Sequence, residues 1–140
     1  MSLNLFNKIG KSADTKPIIR SIPYPIEVRS WNIHTEGIRG LLEAAGINLN
    51  ECEAFEYLRC KVVPEPDNES DPNALKVFAA PKGRSKDFFD IGYVPSEFAP
   101  DMKPDVKKAV AGSHYWSLLM RFNVFEGISF SLKLKESKYK

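Results

Sequence analysis

A chain of 140 residues with 43% hydrophobic and 27% charged side chains can bury one core, is short for two domains, and has none of the bias of collagenous, low-complexity or wholly disordered sequences. Twenty lysines and arginines against eighteen acids leave a net charge of +2, too near balance for a protein that coats nucleic acid by charge alone. The charges are nevertheless ordered: residues 1–29 carry a net +3, 30–80 a net −5, 81–112 a net +1 and 113–140 a net +3, an acidic middle between basic ends.

Residues 1–16 are polar, and Leu3, Leu5, Phe6 and Ile9 are too interrupted for a signal-peptide core, so this stretch reads as a flexible tail and the protein as cytoplasmic. Pro17–Ile22 and Ile26–Val28 have strand character on either side of Pro23-Tyr24-Pro25, whose prolines cannot donate ladder hydrogen bonds and belong at an edge or bend. Ile38, Leu41, Leu42 and Ala45 repeat at helical spacing, predicting a helix over 35–46 with Thr35 as N-cap and Gly46 at the stop. Gly37 and Gly40 weaken it by about 1 kcal/mol each against alanine.

From Glu53 to Val63, Leu58, Cys60 and Val62 alternate with Phe55, Tyr57, Arg59 and Lys61, which is strand periodicity ended by Pro64 and Pro66. Cys52 and Cys60 lie about 26 Å apart along an extended chain and could not bridge. With His34 and His114 they have no close metal-ligand spacing, so neither a disulfide nor a metal is expected. An acidic loop, 65–73, leads to a strand over 74–80, a basic connection over 81–86 and a strand over 88–94. Ser96 is a candidate cap for a helical turn, and Pro104 can open a second helix through Val106, Ala109 and Val110. The last element is a hairpin: Trp116, Leu118, Met120, Phe122 and Val124 alternate up to Glu126-Gly127, and Ile128, Phe130, Leu132 and Leu134 alternate back.

Six or seven short strands and two helical segments, without regular strand-helix alternation, predict a mainly β (α+β) fold: a small OB-like barrel of about six strands spanning 17–136, with 137–140 as a short tail. No stretch approaches the ~18 apolar residues of a membrane span, so no membrane is expected as a partner.

The most specific segment is Glu65-Pro66, Asn68, Asp71, Asn73-Ala74 and Val77, followed by Ile91-Gly92-Tyr93. In order and spacing these residues resemble the HIRAN domain, found in certain SWI2/SNF2-type DNA remodelling and replication-fork proteins and as a stand-alone bacterial domain. The resemblance covers roughly 26–135, specifically over 62–97 and loosely elsewhere. It implies an OB-like barrel that captures a single-stranded DNA 3′ end without catalysis, with Asp71 accepting the terminal 3′-hydroxyl. DNA at damaged or replicating sites, and a DNA-processing protein, are the partners it suggests.

The residues support this on their own terms. A carboxylate accepts hydrogen bonds from a hydroxyl and repels a phosphate, so it favours an unphosphorylated end. An acidic loop would likewise repel a continuing strand, where a groove that only tracks backbone should be basic. Base stacking, worth about 1–3 kcal/mol per base, would fall to Trp31 and Tyr93, with His34, Asn68 and Phe125 as further contacts. All but Phe125 have a structural alternative: turn-building for Asn68, Asp71 and Asn73, core packing for Trp31 and Tyr93, helix entry for His34. The chain departs from the family pattern at Ser70, where many members carry an aromatic, and at Trp31-Asn32-Ile33-His34, which replaces a tyrosine-rich loop.

Two other classes compete. A metal-dependent nuclease would use the acidic loop, but its four acids lie in nine residues and no further ligand completes the set. A calcium loop starting at Asp67 fails at Pro72 and Phe78, where glycine and glutamate are needed. No phosphate-binding glycine loop or nucleophile elbow is present, and no cofactor is expected. A protein-interaction module using the hairpin edge or the tail is the other alternative.

Overall fold

Alternation along each strand decides which side faces inward. In β2 (Glu53–Pro64) Leu58 and Val62 are buried while Phe55, Tyr57 and Lys61 are exposed. β3 (Leu75–Pro81) buries Leu75, Val77 and Ala79, and β4 (Phe89–Tyr93) buries Ile91. β5 (His114–Asn123) contributes Trp116, Leu118 and Met120, and β6 (Gly127–Glu136) Phe130 and Leu132. These side chains form one core. The computed structural model describes residues 22–30, 34–47, 53–83, 87–123, 125 and 127–138.

With the short β1 (Ile26–Glu27), the six strands form one sheet in the order β1-β6-β5-β2-β3-β4, every neighbouring pair antiparallel, curled into a half-barrel. The curl originates in β2, which pairs with β5 from Glu53 to Leu58 and with β3 from Leu58 to Pro64. The chain after β1 brings the two ends of the sheet together: Val28 N–H donates to Phe130, and Arg29 and Tyr93 exchange two backbone hydrogen bonds of 2.9 Å. A small OB-like α+β fold is therefore what the sequence builds.

Two helices cover the barrel. α1 (Thr35–Ala45) buries Leu41 and packs Ile38 and Leu42 against the core, lying on β3 and β4. Its glycines do more than weaken it. A Cβ on Gly37 would collide with the Asp90 carbonyl, and one on Gly40 would stand 2.7 Å from the Phe89 ring, so both are the places where helix meets β4. Gly46 ends α1 in the left-handed conformation (φ 67°), as its position predicts. α2 (Lys103–Val110) buries Val106 and is entered through the 3-10 turn Ala99–Met102, which buries Ala99 and Met102. Tyr24 ties the bend before β1 to it, donating a 2.9 Å hydrogen bond to Asp105 and standing edge-on to Trp116.

Several local expectations change. The N-cap position of α1 is His34, one residue before Thr35, and no side chain caps it. Ser96 caps nothing: the following 3-10 turn has Phe98 at its N-cap. Ile22 lies outside any strand, and β1 stops at Glu27. β4 is shorter than 88–94 and β3 reaches Pro81. The tail 1–16, the stretch 17–21, Trp31 and Cys52 lie outside the described residues. Cys60 packs against the core as a free thiol, and burial pushes its pKa up. No helix among the described residues is long and apolar enough to cross a membrane.

Candidate functional site

The loop between β2 and β3 is built by its own polar side chains. Asn68 uses both ends of its amide: Oδ1 accepts the backbone N–H groups of Ser70 (2.9 Å) and Asp71 (3.0 Å), and Nδ2 donates to Glu65 Oε1 (2.8 Å). Asp71 Oδ1 accepts the Asn73 N–H at 2.9 Å, an Asx turn that feeds the chain into β3, and the Ala74 N–H closes on the Asp71 carbonyl. One Asp71 oxygen thus shapes the turn. Among the described residues nothing engages Oδ2.

Tyr93 at the end of β4 reaches the same loop. Its hydroxyl donates to Glu65 Oε1 at 2.8 Å across 28 residues of sequence. This bond, then that from Asn68, holds the Glu65 carboxyl below the usual carboxylate range, while desolvation and then the Glu65 contact raise the Tyr93 phenol above its ordinary value. Lys76 Nζ stands 3.6 Å from Glu65 and 3.2 Å from Asp90, linking loop and sheet. Its own pKa is raised by Asp90, against an opposing desolvation that is the largest single influence.

Gly92 places Arg29 here. With φ at 145° it sits where the 29–30 backbone crosses β4, and a Cβ on it would run into the Arg29 carbonyl. The Ser30 hydroxyl donates to the Ile91 carbonyl at the same crossing. The Ile91-Gly92-Tyr93 motif is therefore a closure device as well as a support for the tyrosine. Arg29 is half-exposed and pairs with Glu97 at 2.8 Å.

Between these groups lies a cavity of about 340 Å³ lined by Arg29, Asn68, Ser70, Asp71, Tyr93 and Ser96, with Ala74 and Val94 at its apolar wall. A neighbouring depression of about 530 Å³ shares Arg29 and continues past Ser30 and Glu97 toward Ile128 and Ser129 of β6. The cavity brings a carboxylate, a phenol ring over which Lys76 Nζ stands at 5.8 Å, and a guanidinium into one small volume, suited to a ligand that carries a hydroxyl, a flat ring and a negative charge.

Of the residues singled out in the sequence, Asn68, Asp71 and Tyr93 converge on this cavity. His34 does not reach it as a surface: its side chain is 1% exposed, stands edge-on behind Tyr93 at 5.6 Å between ring centroids and lies 3.7 Å from Asp90. No base can stack on a ring so placed, and its contact with Tyr93 makes it a support. Phe125 is 93% exposed at the β5–β6 turn, beside the Glu53 end of the twelve-residue β2, whereas the cavity lies at the Pro64 end. Trp31 is outside the described residues. Arg29 and Ser96 were missed: Arg29 looks like any strand-end cation until the Gly92 crossing brings it in. Among the described residues no three histidine, cysteine, aspartate or glutamate side chains converge as metal ligands.

In comparisons with known proteins, no family model, no curated protein and no solved structure matches the chain.

Proposed function

We propose that this chain is a non-catalytic DNA-binding module of the HIRAN type that receives the 3′-hydroxyl end of a single strand in the cavity between the 68–71 loop and Tyr93. The observation that carries the reading is Asp71. Its Oδ1 is committed to the turn, which fixes the carboxylate, its Oδ2 has no partner among the described residues, and the residue lines the cavity. A fixed, unspent carboxylate oxygen accepts a terminal hydroxyl and opposes a terminal phosphate.

The other walls fit the remaining parts of a nucleotide. Tyr93, clamped by Glu65 and backed by His34, offers a ring for the last base. Arg29 stands where the preceding phosphate would pass, toward the depression that runs to β6. Ser70 keeps the loop side open where an aromatic would add a second stacking surface, so stacking here leans on Tyr93. Recognition of an end suits DNA under repair or replication, with a DNA-processing protein as the expected companion.

Backbone amide NMR tests the assignment. Adding a short oligonucleotide with a free 3′-hydroxyl should shift the Ser70, Asp71, Tyr93 and Arg29 resonances together in a saturable way. Shifts confined to other surfaces, or none at millimolar oligonucleotide, would overturn it.

A further inference from the structure

The outward face of β2, β5 and β6 has a chemistry opposite to that of the acidic loop. Alternation that buries Leu58 and Val62 turns Phe55, Tyr57, Arg59 and Lys61 outward. Phe55 and Tyr57 are 57% and 54% exposed, consecutive on one face of one strand and so about 7 Å apart. A cation already stands over each ring: the Arg121 guanidinium lies 5.7 Å from the Phe55 centroid, directly across the β2–β5 ladder, and Lys82 Nζ lies 5.7 Å from that of Tyr57. Beside them a groove of about 180 Å³ is lined by Tyr57, Arg121, Lys133 and Lys135 together with Ser117 and Ser131, and among the described residues no acid lines it. Among the described residues none of these three cations has an ion-pair partner.

We propose that this face is a second contact surface for single-stranded nucleic acid, taking the interior of a strand rather than its end. Exposed rings at strand spacing provide stacking platforms for successive bases, and the cations of the groove follow the phosphates. An acidic protein segment would use the cations and leave both rings without a role; a polynucleotide uses both. Three cations in the groove give a salt dependence with a log-log slope of about −2. The assignment does not depend on the Asp71 cavity, which lies at the other end of β2.

A closed circular single strand has no terminus and separates the two surfaces. Measured by anisotropy competition, the circle should bind wild type and Asp71→Ala equally, while Arg121→Glu combined with Lys133→Glu should weaken it at least tenfold. Phe55→Ala should weaken it at least fivefold, and Arg121→Lys, which keeps the charge, should retain most of the affinity and confirm that the charge reversal acts electrostatically. Absence of circle binding, indifference to the charge reversal, or equal competition by an acidic peptide or heparin at matched charge would overturn the proposal. So would unchanged affinity in Phe55→Ala, which would leave a plain anion-exchange surface.

Discussion

Arg29 and Tyr93, 64 positions apart, exchange two backbone hydrogen bonds of 2.9 Å, and that single pair both joins the ends of the sheet and sets a guanidinium beside a phenol at the cavity. Closure and site are the same feature. Gly92 makes the approach possible, so Gly92→Ala should destabilise the fold by about 2–4 kcal/mol, from positive-φ strain and the clash with the Arg29 carbonyl. Urea unfolding measures it, and a loss below about 1 kcal/mol would mean that the crossing relaxes freely.

The Tyr93–Glu65 bond gives stability a pH signature with two flanks. Glu65 has a depressed pKa in the folded state, so its contribution is present above the unfolded value of about 4.3 and is lost as pH falls through the folded one. Tyr93 has a raised pKa, so its contribution is full below the unfolded value of about 10 and is lost as pH rises through the folded one. In Tyr93→Phe both flanks should flatten and neutral stability should drop by about 1 kcal/mol. Melting temperatures from pH 3 to 11 test this, and an unchanged acid flank would dismiss the bond as a stabiliser.

Asn68 builds the loop through both ends of its amide. Asn68→Asp keeps the acceptor for the Ser70 and Asp71 amides but replaces the donor facing Glu65 with a second carboxylate. The variant should lose about 1–2 kcal/mol at neutral pH and regain part of it as pH falls into the carboxylate range. A denaturation series at pH 7 and pH 4 decides it; a constant difference at both pH values would contradict the geometry.

In the proposed binding mode Arg29 meets a phosphate. Arg29→Gln should weaken binding of all oligonucleotide sequences alike and reduce the magnitude of the salt slope by about 0.7. Titrations at several salt concentrations report the slope, and an unchanged slope would place the phosphate elsewhere.

The strands and the loop were legible because their causes are local. Alternation through Trp116–Phe122 and Ile128–Leu134 predicts the β5–β6 hairpin, and the Asn68 and Asp71 side chains make the turn their chemistry suggests. What stayed hidden depends on contacts between distant segments. Gly37 and Gly40 look like weak points of a helix until β4 is seen against them. Arg29 becomes a cavity residue only through the Gly92 crossing. His34 sits in a helix-entry position as read, but its burial behind Tyr93 follows from how α1 lies on β4, which no local pattern specifies. Phe125 falls outside the inward alternation of Trp116 to Val124 at the hairpin tip, and that alternation says nothing about which end of β2 the tip adjoins.

The central claim is that the unspent oxygen of Asp71 reads the chemistry of a strand end. Its most direct test is the ratio of affinities for two otherwise identical oligonucleotides, one ending in a 3′-hydroxyl and one in a 3′-phosphate, on wild type and on Asp71→Ala. The account predicts a preference of at least tenfold for the hydroxyl end in the wild type that collapses toward unity in the variant, through weaker binding of the hydroxyl end and relief of repulsion on the phosphate. Equal affinity for both ends in the wild type, or a preference that survives Asp71→Ala, would contradict it.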